Sequence, residues 1–428
     1  MSVVIIVASA LLFFALIMAS IALHEVGHMV PAKLFGVKVT QYFVGFGKTM
    51  WSRRRGETEY GLKAIPLGGY VKLVGMYPPA RAHQGKVGAV TRLADSAREA
   101  EYLDITPADD GRLFHQKKTW QKLVIMFGGP FMNILLAFLI IGTVNGVHGQ
   151  YRPQLVVSTV SECVVPASRS DRTCQAGDPA APAARMGLRA GDRIVSFNGV
   201  TPSTWNQFTE LIRDNRDRPA TVVVERDGQQ LTLPTTPTMI TGVSDRLNPS
   251  RTLEAGFLGV GPTYERQTTG PIGTSQDIWL MTKQSVVGLL NFPAKVWNVA
   301  ADVVTGQPRD INGPMSIVGA SRTAGEITVE ESIPVNDRVA SWFMMLGSVN
   351  LFVALLNLVP LMPLDGGHMA GAIWEGLRRW WARLRGRADP GHVDTAKMLP
   401  VAYLVGGFLV LAGGVLIIAD IVSPIQLF

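Results

Sequence analysis

The sequence predicts a membrane-embedded α-helical core of about four transmembrane helices. To this it adds a cytoplasmic-side membrane-associated β-hairpin and one extracytoplasmic α+β domain. Three observations carry that prediction. Of 428 residues, 47% are hydrophobic and only 17% are charged, with a mean hydropathy of +0.21. That is too apolar for an ordinary soluble protein. Four apolar runs each reach the roughly 20 residues that cross a bilayer as a helix. The polar remainder falls mainly into two large regions, one basic and one carrying strand and turn signals.

The first run covers 1–28; it is almost uncharged from Val3 to Leu23 and continues helically to His28. It lacks a basic n-region, and cleavage near Ala19 or Ala22 would sever it from the histidines that follow, so it reads as a retained span. The second and third runs cover 123–147 and 342–367. The fourth covers 399–421, where Gly406-Gly407 and Gly413-Gly414 permit close helix packing. A further segment over 270–305 mixes apolar residues at helical spacing with Asp277, Lys283, Pro293 and Lys295. It reads as an amphipathic helix on the membrane surface.

The formal net charge is +7 and the pI about 9.5. Basic residues cluster beside the apolar runs, at Arg53–Arg55, at Lys117, Lys118 and Lys122, and from Arg378 to Arg387. This suits membrane topology rather than nucleic acid, and no nucleic-acid partner is expected. The positive-inside rule puts 29–122 and 376–398 in the cytoplasm and both termini outside, together with 151–341. Within 29–122, alternation around Pro66 and Gly68-Gly69 predicts a hairpin near 57–76, with an edge that could pair with extended peptide. The stretch 80–110 is polar and reads as loosely ordered. Cys163 and Cys174 are too far apart for a C-x₂-C knuckle; outside the cytoplasm a disulfide closing a small loop is expected.

The chemistry centres on His24-Glu25-Val26-Gly27-His28. Residues four apart on a helix differ by about 40° in direction, so both imidazoles share one face. Glu25 follows at the place where a carboxylate reaches a metal-bound water. This is the H-E-x-x-H layout of two imidazole ligands and a general base. Ionisable groups at the end of an apolar run are costly and mark function. The other histidines (His83, His115, His148, His368, His392) sit mostly in polar loops and read as solvated. A carboxylate is the better third ligand, and Asp365 closes the third apolar run at the same membrane face as His24. His₂-carboxylate is an acceptable zinc set.

HEVGH, FGGPFMN (Phe127–Asn133) and NLVPLMPLDGGH (Asn357–His368) occur in this order over nearly the whole chain. Together they resemble the site-2 protease family of intramembrane zinc metalloproteases, nearest to bacterial members that cleave anti-sigma factors. Between the last two motifs, AARMGLRAGDRIVSFNG (Ala183–Gly199), a helix from Trp205 and strands across Asp227-Gly228 resemble a PDZ domain in the permuted bacterial arrangement, over 155–237. The resemblance implies zinc held by His24, His28 and Asp365, with Glu25 as base. It implies substrate positioning by Asn357, active-site integrity through Asn133, and a membrane re-entrant β-loop at Gly68-Gly69. It also implies a single-pass membrane protein as substrate, cut as the second step of a signalling cascade. A peptide or chain end is the expected PDZ ligand. Some relatives carry two PDZ domains, whereas this sequence shows one.

Overall fold

The computed structural model describes residues 2–79, 88–102, 105–165, 173–248 and 251–425. They form two units, 1–143 with 274–428, and 144–273. The first unit begins with α1 (Ser2–Leu34), strands β1 (Val39–Arg55) and β2 (Thr58–Leu73), α2 (Ala89–Tyr102) and α3 (Thr119–Thr143). β1 and β2 make a larger hairpin than expected near 57–76. The chain reverses at Gly56, at φ +64°, rather than at Pro66. Pro66 has no N–H for a ladder and Gly68 stands at φ +98°, so β2 bends there and continues. Gln41–Val44 consequently lies between Glu59–Leu62 and Gly69–Lys72. Tyr42 Oη donates to Ala22 O at 2.8 Å and holds the sheet to α1.

The expectation of a loose 80–110 is corrected for residues 89–102, which form α2; His83 lies outside the described residues. Ala94 packs with Ala396 and Leu399, and the buried Arg98 pairs with Asp95 and Asp394. Leu93, Ala94 and Ala97 supply the apolar side of α2, a short stripe that the polar composition hides.

The second unit contains β3 (Gln150–Val160), α4 (Pro182–Arg185), β4 (Arg193–Phe197), α5 (Trp205–Asn215), β5 (Pro219–Ala220), β6 (Val222–Arg226), β7 (Gln229–Thr232), β8 (Thr236–Pro237), β9 (Met239–Ser244), β10 (Thr252–Phe257) and β11 (Val260–Gln267). A five-stranded sheet has the order β11-β3-β4-β6-β7. α5 turns Trp205, Phe208 and Ile212 onto Phe197, Val222 and Val224. The unit is longer than 155–237 because β11 pairs with β3 and Leu258 joins the core. Cys163 and Cys174 are joined in a disulfide.

The first unit resumes with α6 (Pro271–Leu290), α7 (Phe292–Thr305), α8 (Ile317–Val329), α9 (Val335–Asn357), α10 (Asp365–Leu384) and α11 (Leu399–Val422). Among the described residues, four helices are long and apolar enough to cross a membrane: Val3–Leu34, Thr119–His148, Val335–Asn357 and Thr395–Val422. The single surface helix expected over 270–305 is two helices, broken at Asn291 ahead of Pro293. Their apolar residues pack on other helices: Ile278 and Met281 on Ala137, Ile141 and Leu351, and Val296 and Val299 on Ala412, Leu416 and Ala419. The third span ends at Asn357, ten residues before the expected 367. Pro360 and Pro363 cannot continue a helix, so 358–364 is irregular and Asp365 opens a new one. α10 in turn occupies 376–384, the first part of the expected loop 376–398.

Candidate metal centre

α1 carries His24 and His28 side by side, with their Nε2 atoms 3.1 Å apart. Asp365, the first residue of α10, places Oδ2 3.3 Å from each of these nitrogens. Among the described residues, these three form the one group of His, Cys, Asp and Glu side chains near enough to share a metal ion. Both rings are fixed from behind. His24 Nδ1 donates to Asn133 Oδ1 at 2.9 Å, and His28 Nδ1 donates to the Ile125 carbonyl at 2.8 Å.

A donating Nδ1 leaves a bare lone pair at Nε2 in a neutral imidazole. Two such lone pairs and a carboxylate oxygen therefore face one another in a buried place. Asp365 Oδ2 has no hydrogen-bond partner there. Electron-rich atoms arranged this way call for a cation among them. Nitrogen and carboxylate donors in a set of three fit Zn²⁺ and leave a tetrahedral ion one open position. The residues present thus fit the metal that the motif implies.

α3 approaches this centre closely because it has no side chains where it crosses α1. A Cβ built on Gly27 would lie 2.3 Å from Gly128 O, and one on Gly128 would lie 2.0 Å from Gly27 O. A Cβ on Gly129 would sit 2.2 Å from His28 Nε2 and 2.6 Å from His24 Nε2. The first of these is close to a zinc–nitrogen bond of about 2.0–2.1 Å. Glycine at 129 therefore keeps the shared ligand space empty of protein. These roles of Gly27, Gly128 and Gly129 were not anticipated. The signal was present as glycines inside two apolar helical runs, the usual mark of close backbone approach.

A cavity of about 740 Å³ opens beside the triad. Glu25, Gly68, Gly69, Asn357 and His368 line it together with His24, His28 and Asp365. The stretch Tyr70–Leu73 forms one wall. It pairs with Val39–Phe43, and Gly69 just before it lies against the Glu25 side chain. Gly69 permits this contact, since a Cβ there would lie 3.3 Å from Glu25 Cγ and 3.1 Å from Phe43 O. Glu101 of α2 closes another side, accepting from the backbone N–H groups of Met76 and Tyr77.

Two histidines read as solvated are not so. His115 is buried, with Nδ1 3.0 Å from Gly75 O. His368 faces the cavity one turn beyond Asp365. His392 lies 3.4 Å from Glu375, which also holds Lys122 at 2.8 Å in a buried ion pair.

Comparison with known proteins gives a consistent result. The model for peptidase family M50 matches residues 12–388. The zinc metalloprotease Rip1 of Mycobacterium tuberculosis (strain ATCC 25618 / H37Rv) is 34% identical over 435 residues, spanning 99% of both chains. Rip1 of Mycolicibacterium smegmatis is 32% identical, spanning 97% of this chain and 98% of its own. The metalloprotease MmpA of Caulobacter vibrioides is 28% identical over 376 residues, 84% of each chain.

Proposed function

The chain belongs to peptidase family M50 and is a zinc metalloprotease of the membrane; on that premise we propose that it hydrolyses peptide bonds in or next to the transmembrane segment of single-pass proteins. His24, His28 and Asp365 hold the metal, and Glu25 is the general base. The observation that carries this reading is the convergence of two Nε2 atoms and one carboxylate oxygen at 3.1–3.3 Å beside a cavity lined by Glu25. Zinc held by these three residues would supply the Lewis acid that polarises a peptide carbonyl and acidifies a water.

The side chains do the rest. Glu25 takes a proton from the attacking water and returns it to the leaving nitrogen. A transmembrane helix satisfies its own backbone and must open before it is cut. The Gly69–Leu73 wall offers an extended backbone along which an opened segment can lie by strand addition. Asn357, at the last residue of α9 and on the cavity wall, orients the peptide.

The topology follows from charge. Basic residues at Arg53–Arg55, Lys117–Lys118 and Arg378–Arg387 put those loops in the cytoplasm, with both termini outside and the metal toward the cytoplasmic side. The unit 144–273 is then extracytoplasmic, which agrees with its disulfide. We read it as a PDZ domain that takes a peptide or chain end, or limits access to substrates already trimmed outside. An anti-sigma factor cut in this second step is the substrate class that best fits.

Glu25→Gln in the full chain, reconstituted with a single-span substrate, tests the assignment. Zinc content should stay at that of the parent while cleavage falls by at least about a hundredfold, the scale of a lost general base. Turnover that persists in the variant would refute the role of Glu25.

A further inference from the structure

α10 leaves the metal centre with one face sealed and one face open. Ala372, Glu375 and Ala382 are buried, and Arg379 turns inward to Glu375 at 3.2 Å. On the other side Ile373, Trp374, Leu377, Trp380, Trp381 and Leu384 recur at helical spacing and are 47–63% exposed. Arg383, Arg385 and Arg387 follow on exposed positions. Among the described residues none of the three pairs with a carboxylate, and Arg385 lies over the Trp381 ring at 4.4 Å.

The height of this patch can be read from its neighbours. Asp365 meets His24 and His28 inside the first span. Eleven residues on, a Cβ at Gly376 would lie 3.0 Å from Thr119 Cγ2, and Thr119 is where the second span begins. From the level of Thr119, α10 runs on for about 12 Å of helix axis to Leu384, at 1.5 Å per residue. Trp380 and Trp381 fall where aromatic rings collect at a membrane interface, and the arginines fall beyond them, at the depth of headgroups. The helix cannot drift from the bilayer, because spans precede it at Asn357 and follow it from Thr395.

We propose that the C-terminal end of α10 is a binding site for the phosphate headgroups of anionic membrane lipids. Arg383, Arg385 and Arg387 supply the cationic contacts, and Trp380 and Trp381 seat the site at the interface. Guanidinium groups match phosphate oxygens in a bidentate fork. The exposed stripe continues into hydrocarbon, and the uncompensated positive charge beyond it selects an acidic headgroup over a zwitterionic one. A headgroup held there grips the same helix that presents Asp365. The site requires the membrane spans but not the proteolytic reading.

The test places the full chain in phosphatidylcholine vesicles with a small fraction of brominated phosphatidylglycerol, or the same fraction of brominated phosphatidylcholine. Tryptophan quenching is measured, and Trp380→Phe/Trp381→Phe isolates the signal of these two rings. Brominated phosphatidylglycerol should quench them several-fold more efficiently per mole. That preference should shrink with each arginine changed to Gln and reach parity in the folded triple variant, and it should fade in high salt. Zinc content equal to that of the parent identifies folded variants. If Arg383→Gln/Arg385→Gln/Arg387→Gln does not fold, the salt titration of the unaltered chain decides alone. Equal quenching by the two lipids, a preference untouched by salt, or one untouched in the folded triple variant would overturn the site.

Discussion

Asn133 on α3 holds His24 on α1, its Oδ1 2.9 Å from the ring Nδ1, with both residues buried. The contact fixes which imidazole nitrogen is free to face Asp365. Partners behind metal-binding histidines commonly set metal affinity within a factor of about 10–100. Asn133→Ala should weaken zinc binding by that order, measured by competition with a chelator. Asn133→Asp keeps an acceptor and should retain most of the affinity. Equal affinity in Asn133→Ala and parent would remove Asn133 from the site.

Gly129→Ala places a methyl 2.2 Å from His28 Nε2 and 2.6 Å from His24 Nε2. The methyl competes with any shared ion. Purified Gly129→Ala should contain less than about a tenth of the parent's zinc by elemental analysis. Gly27→Ala and Gly128→Ala act differently, by forcing α1 and α3 apart against backbone atoms. Overpacking of this kind costs roughly 1–3 kcal/mol or more, and thermal unfolding in detergent should register it before zinc is lost.

Glu101 ties α2 to the end of the cavity wall by accepting from Met76 and Tyr77 N–H groups. Burial pushes its carboxyl up, and these backbone donors oppose that. Glu101→Ala would leave two donors without their acceptor, at about 1–3 kcal/mol each where they stay dry. Hydrogen exchange at residues 74–77 should accelerate while the zinc content holds. Unchanged exchange there would show that α2 does not brace the wall.

In the second unit, Asp192 is buried and accepts from Arg226 Nε at 2.7 Å and from Arg189 N at 2.8 Å. Burial raises its carboxyl pKa, but the Arg226 guanidinium and the Arg189 N–H outweigh that and leave it below the ordinary aspartate value. A lowered folded pKa stabilises the unit above the unfolded value of about 3.9, and this is lost as pH falls through the folded value. Protection of β4 and β6 in hydrogen exchange should therefore be flat from pH 7 to about 5 and decline below about pH 4. Arg226→Ala should lower that protection by about 2 kcal/mol at neutral pH.

Much of the metal centre was legible because it is local or chemically costly. His24 and His28 are one turn apart, and Asp365 stands out as a charge at the end of an apolar run. What escaped was set partly by partners distant in sequence and partly by local breaks that hydropathy and alternation do not register. The end of α9 at Asn357 is written in Pro360 and Pro363, yet the hydropathy runs on through them. α8 is short and mixed in composition, and it is held by backbone proximity to α1, where a Cβ on Gly325 would lie 2.5 Å from Ile6 O. α2 rests on Asp394, Ala396 and Leu399, some 300 residues away. The bend in β1 depends on Gly45 and Gly47 at φ +91° and +85°, and that in β2 on Gly68 at φ +98°, which no alternation pattern reveals.

The meeting of Gly27 and Gly128 has a consequence for biogenesis. Once the first two helices have entered the lipid, both imidazoles and their Asn133 brace can be in position while Asp365 is still unmade. At roughly 5–20 residues per second, the ribosome needs some ten seconds or more to reach that aspartate. A nascent chain therefore passes through a half-built, two-nitrogen site, and any ion captured then must wait for the far helix to arrive.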